Sequence, residues 1–202
     1  MSNLRPALVL VALSTVLLGL VFPLAFVGIG QAVFPWQAGG SLVRHDGQVI
    51  GSALIGQDFA DPRYFASRPS ATTGTDPADP SKTIDLPDNA AASGASNLGP
   101  TSKALIDRVK AAVARLGPGP VPADAVTTSA SGVDPDISPA NALRQVPRIA
   151  RLRRLPEGKL QQLVESQVRG RTFGILGEKR VNVLALNMRL DALSRDQGLA
   201  AR

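Results

Sequence analysis

Cysteine is absent from all 202 residues and histidine occurs once, at His45. The first absence excludes disulfides, thiolate nucleophiles and cysteine-bound metals; the second excludes every multi-histidine metal centre. Aromatic residues make up only 4% of the chain, too few for the stacking platforms that hold single-stranded nucleic acid. The G-x-x-x-x-G-K-S/T phosphate loop, the H-E-x-x-H zinc pair and the G-x-S-x-G elbow are missing too. Charge is missing from one place in particular. Ala7 to Ile29 contains no Asp, Glu, Lys or Arg, and fifteen of its twenty-three residues are Leu, Val, Ile or Phe.

As a helix this run would reach roughly 35 Å, enough to cross a hydrocarbon core about 30 Å thick. It is longer than the apolar region of a secretory signal, and no A-x-A cleavage triplet follows it. Phe34-Pro35-Trp36 follows instead, and Phe34 and Trp36 suit the headgroup level as an interfacial anchor. Residues 1–36 therefore read as a short tail, one transmembrane helix at about 7–29 and an aromatic exit. Thr15, Gly19 and Pro23 offer a face of small or kinking residues for docking against partner helices. Arg5 lies in front of the span and no further Lys or Arg occurs until Arg44. That bias puts the N-terminus in the cytoplasm and the rest of the chain outside.

Residues 37–202 are long enough for a single domain with its own core. Its charge is divided. Residues 46–88 hold seven aspartates against Arg63, Arg68 and Lys82, whereas residues 144–180 hold ten Lys or Arg against three Glu. Such a basic half suits lipid headgroups or an acidic partner, and nucleic acid fits least. Ser41 to Ile55 reads as a hairpin turning at Asp46-Gly47, with Gly51 and Gly56 marking a bulge or a close backbone approach. Residues 57–97 are punctuated by five X-Pro pairs and read as an irregular loop, with 71–90 its flexible part.

Helices dominate beyond it. Leu105, Val109, Ala112, Val113 and Leu116 share a face that ends at Gly117-Pro118. Ser138 caps a helix with Pro139 at its first position, and Pro147 should kink or divide that helix. Leu160, Leu163, Val164, Gln167 and Val168 define another amphipathic segment. Arg180 to Leu186 looks like a strand, and Asn187 then caps a last helix bearing Leu190 and Leu193. The fold class is α+β: one N-terminal transmembrane helix followed by a small sheet-plus-helices extracytoplasmic domain.

Three stretches invite chemistry. Ser93, Gly94, Ser96 and Asn97 precede a helix, where small residues and free N–H groups can hold an anion such as phosphate or simply cap the helix. Ser129 or Ser131 could serve a membrane-anchored hydrolase only with a positioned base, for which His45 and Lys residues are the candidates. The bland reading is a hydroxyl-rich turn before Ser138. Asp134 and Asp136 could ligate a hard cation, but two carboxylates alone do not define such a site. A free-standing ligand-binding module is the remaining alternative to a subunit role.

Taken in order, Phe34-Pro35-Trp36-Gln37-Ala38, Gly51-Ser52-Ala53-Leu54-Ile55-Gly56-Gln57, Arg68-Pro69-Ser70-Ala71 and Ser96-Asn97-Leu98 form a series. Val126-Thr127, Ser131-Gly132-Val133-Asp134, Gln145-Val146-Pro147-Arg148, Val181-Asn182-Val183, Leu186-Asn187 and Leu190-Asp191 continue it. The series resembles the C subunit of the bacterial potassium-transporting Kdp ATPase along nearly the whole chain. The resemblance implies a non-catalytic accessory subunit of an ATP-driven potassium uptake complex in the inner membrane. It implies two partners, a channel-like subunit that handles potassium and a P-type ATPase subunit. The C subunit would assemble the complex and act as a catalytic chaperone that raises the ATPase's affinity for ATP. It implies no cofactor of the chain's own, with ATP the one small molecule in question, at Ser93, Gly94, Ser96 and Asn97. The family's Ser-Gly-Gly-Ser-Asn loop reads Ser93-Gly94-Ala95-Ser96-Asn97 here.

Overall fold

The computed structural model describes residues 3–196. They fall into two compact units, Met1–Ser52 and Ala53–Arg202. In the first, helix α1 spans Leu4–Val33 with none of its apolar window buried. It is longer at both ends than the expected 7–29 and runs through Gly28 and Gly30 without a break. Its middle is a wide, π-type turn over Leu17–Val21, in which the Phe22 N–H bonds to the Leu17 carbonyl five residues back. Pro23 explains the turn. A proline has no N–H for the carbonyl four residues earlier, here that of Gly19, and its ring crowds that oxygen. Widening the preceding turn relieves the clash, so the proline is accommodated as a π-bulge.

A single helical turn, Pro35–Ala38, leads into hairpin β1 (Leu42–His45) and β2 (Gln48–Ser52). Asp46 and Gly47 both have positive φ, as a tight two-residue turn requires. The pairing slips between Val43 and Arg44, with Val43 opposite Gly51, which locates the bulge.

The second unit packs helices α3 (Pro139–Arg153), α4 (Glu157–Ser166) and α5 (Val183–Asp196) around one core. Ala142, Val146 and Ile149 of α3, Leu160 and Val164 of α4, and Leu186 and Leu190 of α5 meet there with Phe65 and Ile137. Burying a leucine or phenylalanine of this kind stabilises the fold by about 1.5–3 kcal/mol. Ser138 caps α3 as its sequence suggests, its Oγ accepting from the Asn141 N–H at 3.1 Å. The Asp124 carboxylate takes the Ser138 N–H and hydroxyl, both at 2.8 Å, and fixes the cap from outside. Helix α2 (Lys103–Leu116) buries only Ala112, while Val113 and Leu116 of its expected face remain exposed.

Three expectations are corrected. Pro147 does not divide α3, which runs unbroken to Arg153. The proline lies on the exposed side of the helix, where a lost backbone bond faces water rather than core. The strand expected over 180–186 is only the two residues Val181–Asn182 (β6), paired with Asp136–Ile137 (β5). Helix α5 begins at Val183, so Asn187 lies inside it and is not its cap. The cap is Asn182, whose Oδ1 accepts from the Ala185 N–H at 3.0 Å. Finally, one short hairpin, β3 (Thr73–Thr75) with β4 (Thr83–Asp85), forms within the irregular loop. Among the described residues the strands make three small two-stranded sheets, which with the helices give the expected α+β class.

Candidate functional site

Three loops of the second unit converge: Arg68–Thr72, Ser93–Asn97 and Thr127–Asp134. Gly132 is the pivot. Its φ is +70°, and a side chain there would meet the Gly94 carbonyl at 2.4 Å and the Thr72 methyl at 2.5 Å. Only glycine fits, in conformation and in space. The Ser70 hydroxyl donates to the Gly132 carbonyl at 2.6 Å, and the Thr72 hydroxyl to the Leu86 carbonyl at 2.6 Å. The Asp88 N–H in turn donates to Ser70 Oγ.

Ser93, Gly94 and Ser96 are brought together here. The Gly94 N–H and the Ser93 hydroxyl both donate to the Ser131 carbonyl, each at 2.8 Å. Ser96 Oγ accepts from Arg108 and from the Thr128 hydroxyl, each at 3.3 Å. Asn97 is exposed, with φ +52°, so the left-handed residue of this loop is Asn97 and not Ala95. Alanine at 95 therefore meets no conformational obstacle. The Ser129 hydroxyl is buried and accepts from the Gly132 N–H at 2.8 Å; Ser131 Oγ accepts from the Val133 N–H at 3.2 Å. Both hydroxyls hold the turn in shape, as short polar side chains do before a helix. His45 belongs to the other unit.

Carboxylates crowd the same junction. Asp134 pairs with Arg68 at 3.0 Å and Asp136 with Arg180 at 3.1 Å. Burial pushes the Asp136 carboxyl above its ordinary range, with Arg180 acting against that rise. Asp88 is pushed up to about 6, first by burial and then by the neighbouring charges of Asp58 and Asp134. Gly56 is wedged between the Asp88 carboxylate and the Asp134 carbonyl, where a Cβ would lie 2.7 and 2.8 Å from them. That is the close approach its sequence position suggests. Among the described residues no His, Cys, Asp or Glu group has the makings of a metal site.

A second construction passed unread in the sequence. Pro62 and Arg63 form a turn closed by the Tyr64 N–H on the Asp61 carbonyl at 3.0 Å. Phe65 and Ala66 follow with no strand beside them, and side chains take the place of one. Asn187 bonds both backbone groups of Phe65, and Gln145 both backbone groups of Ala66. Arg148 donates to the carbonyls of Pro62 and Tyr64, and burial lowers its pKa. Arg153 donates to the Arg63 carbonyl at 2.8 Å and to Asp191 at 2.7 Å, and lies 4.4 Å over the Tyr64 ring. The Tyr64 hydroxyl reaches the other oxygen of Asp191 at 3.1 Å. An open cleft of about 1520 Å³ runs along this clamp, lined by Asp58, Asp88, Arg144 and Arg151 among others. Its mixed charges favour no ligand of one sign.

In the first unit, Thr15, Gly19 and Pro23 are exposed, and nothing lies within 4 Å of where a Gly19 side chain would sit. The wide turn, Leu17–Val21, falls between Thr15 and Pro23. Phe34 and Trp36 are more than half exposed, and the Trp36 indole N–H donates to the Leu42 carbonyl.

Residues 4–192 match the family described as K+-transporting ATPase, c chain. A protein of Methylorubrum populi is 58% identical over 199 residues, covering 96% of this chain and 99% of its own. One from Methylobacterium nodulans is 61% identical over 198 residues, covering 96% and 98%. One from Rhodopseudomonas palustris is 57% identical over 199 residues, covering 96% and 99%. Each of the three is named a potassium-transporting ATPase KdpC subunit.

Proposed function

This chain belongs to the K+-transporting ATPase c-chain family, and on that premise we propose that it is a non-catalytic accessory subunit of a high-affinity potassium pump. It assembles the complex and raises the affinity of the P-type ATPase subunit for ATP, while a channel-like subunit carries the potassium. The observation that carries the reading is the match along almost the whole chain, span included. The engagement of Ser129 and Ser131 in turn bonds supports it against a hydrolase.

Helix α1 holds the chain in the inner membrane with its N-terminus inside and the larger unit outside. The charge bias of Arg5 against an uncharged span supports that orientation. The influence on ATP affinity then passes between distant sites as a coupling free energy, typically 1–3 kcal/mol. Thr15, Gly19 and Pro23 dock the span against partner helices, and Phe34 and Trp36 set its depth. Ser93, Gly94, Ser96 and Asn97 are the candidate nucleotide contacts, and Ser93 and Gly94 would have to give up their bonds to Ser131 to serve.

Deleting the gene and measuring growth in potassium-poor medium, together with the ATP concentration dependence of the membrane ATPase, tests the reading. Loss of growth and a raised KM for ATP are expected. Unchanged growth and an unchanged KM contradict it.

A further inference from the structure

The segment between Val168 and Val181 is a small, rigid hairpin with an apolar tip. Arg169 and Arg180 exchange both backbone hydrogen bonds at its base, at 2.8 and 3.1 Å. Nearer the tip, Thr172 and Leu176 exchange another pair at 2.9 and 3.0 Å, and the Gly174 N–H closes on the Arg171 carbonyl at 3.0 Å. Beyond that point Phe173 is 89% exposed, Ile175 74% and Leu176 58%. Single exposed apolar residues are ordinary; three large ones together on a preformed turn are a patch.

Phe173 also has φ +54°, in the left-handed region. Glycine or asparagine is the natural occupant there, and a bulky aromatic is an outlier. Its ring stands almost wholly in solvent, so internal packing does not account for phenylalanine at this position. Strained residues persist where a well-bonded frame holds them, and they cluster at functional sites.

The charges around the tip favour protein over lipid as its occupant. Arg171 is paired with Glu178 at 2.8 Å, and Arg180 with Asp136 at 3.1 Å. Arg169 also acts on Asp136. Two of the basic side chains that would draw an anionic bilayer surface, Arg171 and Arg180, are thus engaged within the unit, and Glu178 sets a negative charge beside the exposed Lys179. An apolar anchor inside a largely paired polar rim is instead the pattern of a protein interface core. Because the turn is already formed, little ordering remains to oppose docking.

We propose that the 171–178 tip is a docking knob that inserts Phe173, flanked by Ile175 and Leu176, into an apolar pocket on another subunit of the potassium-transporting ATPase. The proposal rests on the accessory-subunit reading above.

It is tested in the purified complex with the photoreactive residue p-benzoylphenylalanine at position 173, and at exposed Thr75 as a control. Irradiation should join position 173, and not position 75, to one partner polypeptide, with the adduct mapping to apolar residues. An adduct with lipid alone, or no adduct while the chain copurifies, overturns the knob and leaves the subunit reading intact. Failure of the wild-type chain to copurify with any potassium-pump subunit overturns both. As a second arm, Phe173→Asp should weaken retention on the complex about tenfold or more, as loss of an interface anchor does. The melting temperature of the chain should not change. Unaltered retention overturns the knob.

Discussion

The side-chain amide of Asn187 stands in for a neighbouring strand: it accepts from the Phe65 N–H and donates to the Phe65 carbonyl, each at 2.9 Å. Asn187 is 2% exposed and Phe65 wholly buried. The pair ties the start of the irregular loop to α5, across 122 residues of chain. Replacing Asn187 with Leu would strand a buried donor and a buried acceptor, at a cost of about 2–4 kcal/mol. Asn187→Asp should be no better, since it keeps the acceptor but loses the donor and buries a charge. Thermal unfolding of the purified chain in detergent would show the midpoint falling by about 5–15 °C.

Gly132 and Gly94 sit face to face and should respond oppositely. Gly132→Ala puts a methyl group 2.4 Å from the Gly94 carbonyl, in a backbone conformation alanine resists. Several kcal/mol of stability should be lost, on the order of 2–4. At Gly94 the nearest atom to an added Cβ is 3.8 Å away and φ is not positive. Gly94→Ala should therefore stay within about 0.5 kcal/mol of the wild type. The same denaturation curves distinguish the two.

Asp88 makes stability depend on pH in an unusual direction for a carboxylate. Its folded pKa, about 6, lies above the ordinary 3.8, so the folded state holds its proton more tightly than the unfolded one. The penalty is present above pH 6 and fades as the pH falls toward 4. Asp88→Asn removes it, and asparagine tolerates the positive φ found there. The variant should be more stable than wild type by about 1 kcal/mol at pH 7.5, a figure discounted for a half-exposed group, and by only about a third of that at pH 4.5. Melting curves at the two pH values measure the difference.

Gly19 leaves a bare patch on α1 at the wide turn. If partner helices pack there, Gly19→Leu should cut the recovery of the other subunits with this chain several-fold. Val9→Leu, at an exposed position away from the wide turn, should leave recovery unchanged. Quantitative copurification from membranes compares them.

What could be read from the sequence follows from the range of the forces involved. The 3.6-residue spacing of Ala142, Val146 and Ile149 and the Ser138-Pro139 start signal α3 because both are local. Asp46-Gly47 betrays its hairpin for the same reason. The start of α5 is disguised in the sequence because Val181 and Val183 carry β-branched side chains, while the deciding cap, Asn182, also looks like a strand residue. The clamp on residues 62–66 was invisible. Gln145, Arg148, Asn187 and Asp191 all lie in the motif series, but what they hold, backbone for the first three and the Tyr64 hydroxyl for Asp191, is about 80 to 130 residues away, and nothing in the Pro62–Ala66 sequence announces it. At the loop junction, the glycines at 56 and 132 are the legible trace, since close approach leaves no alternative to them.

If the chain is an accessory subunit of the pump, the pump cannot work without it. Potassium uptake by proteoliposomes, reconstituted from the channel-like and ATPase subunits with and without this chain, measures that directly. At limiting ATP, uptake should be lost without the chain and restored when it is added back. Equal uptake in both preparations would contradict the account.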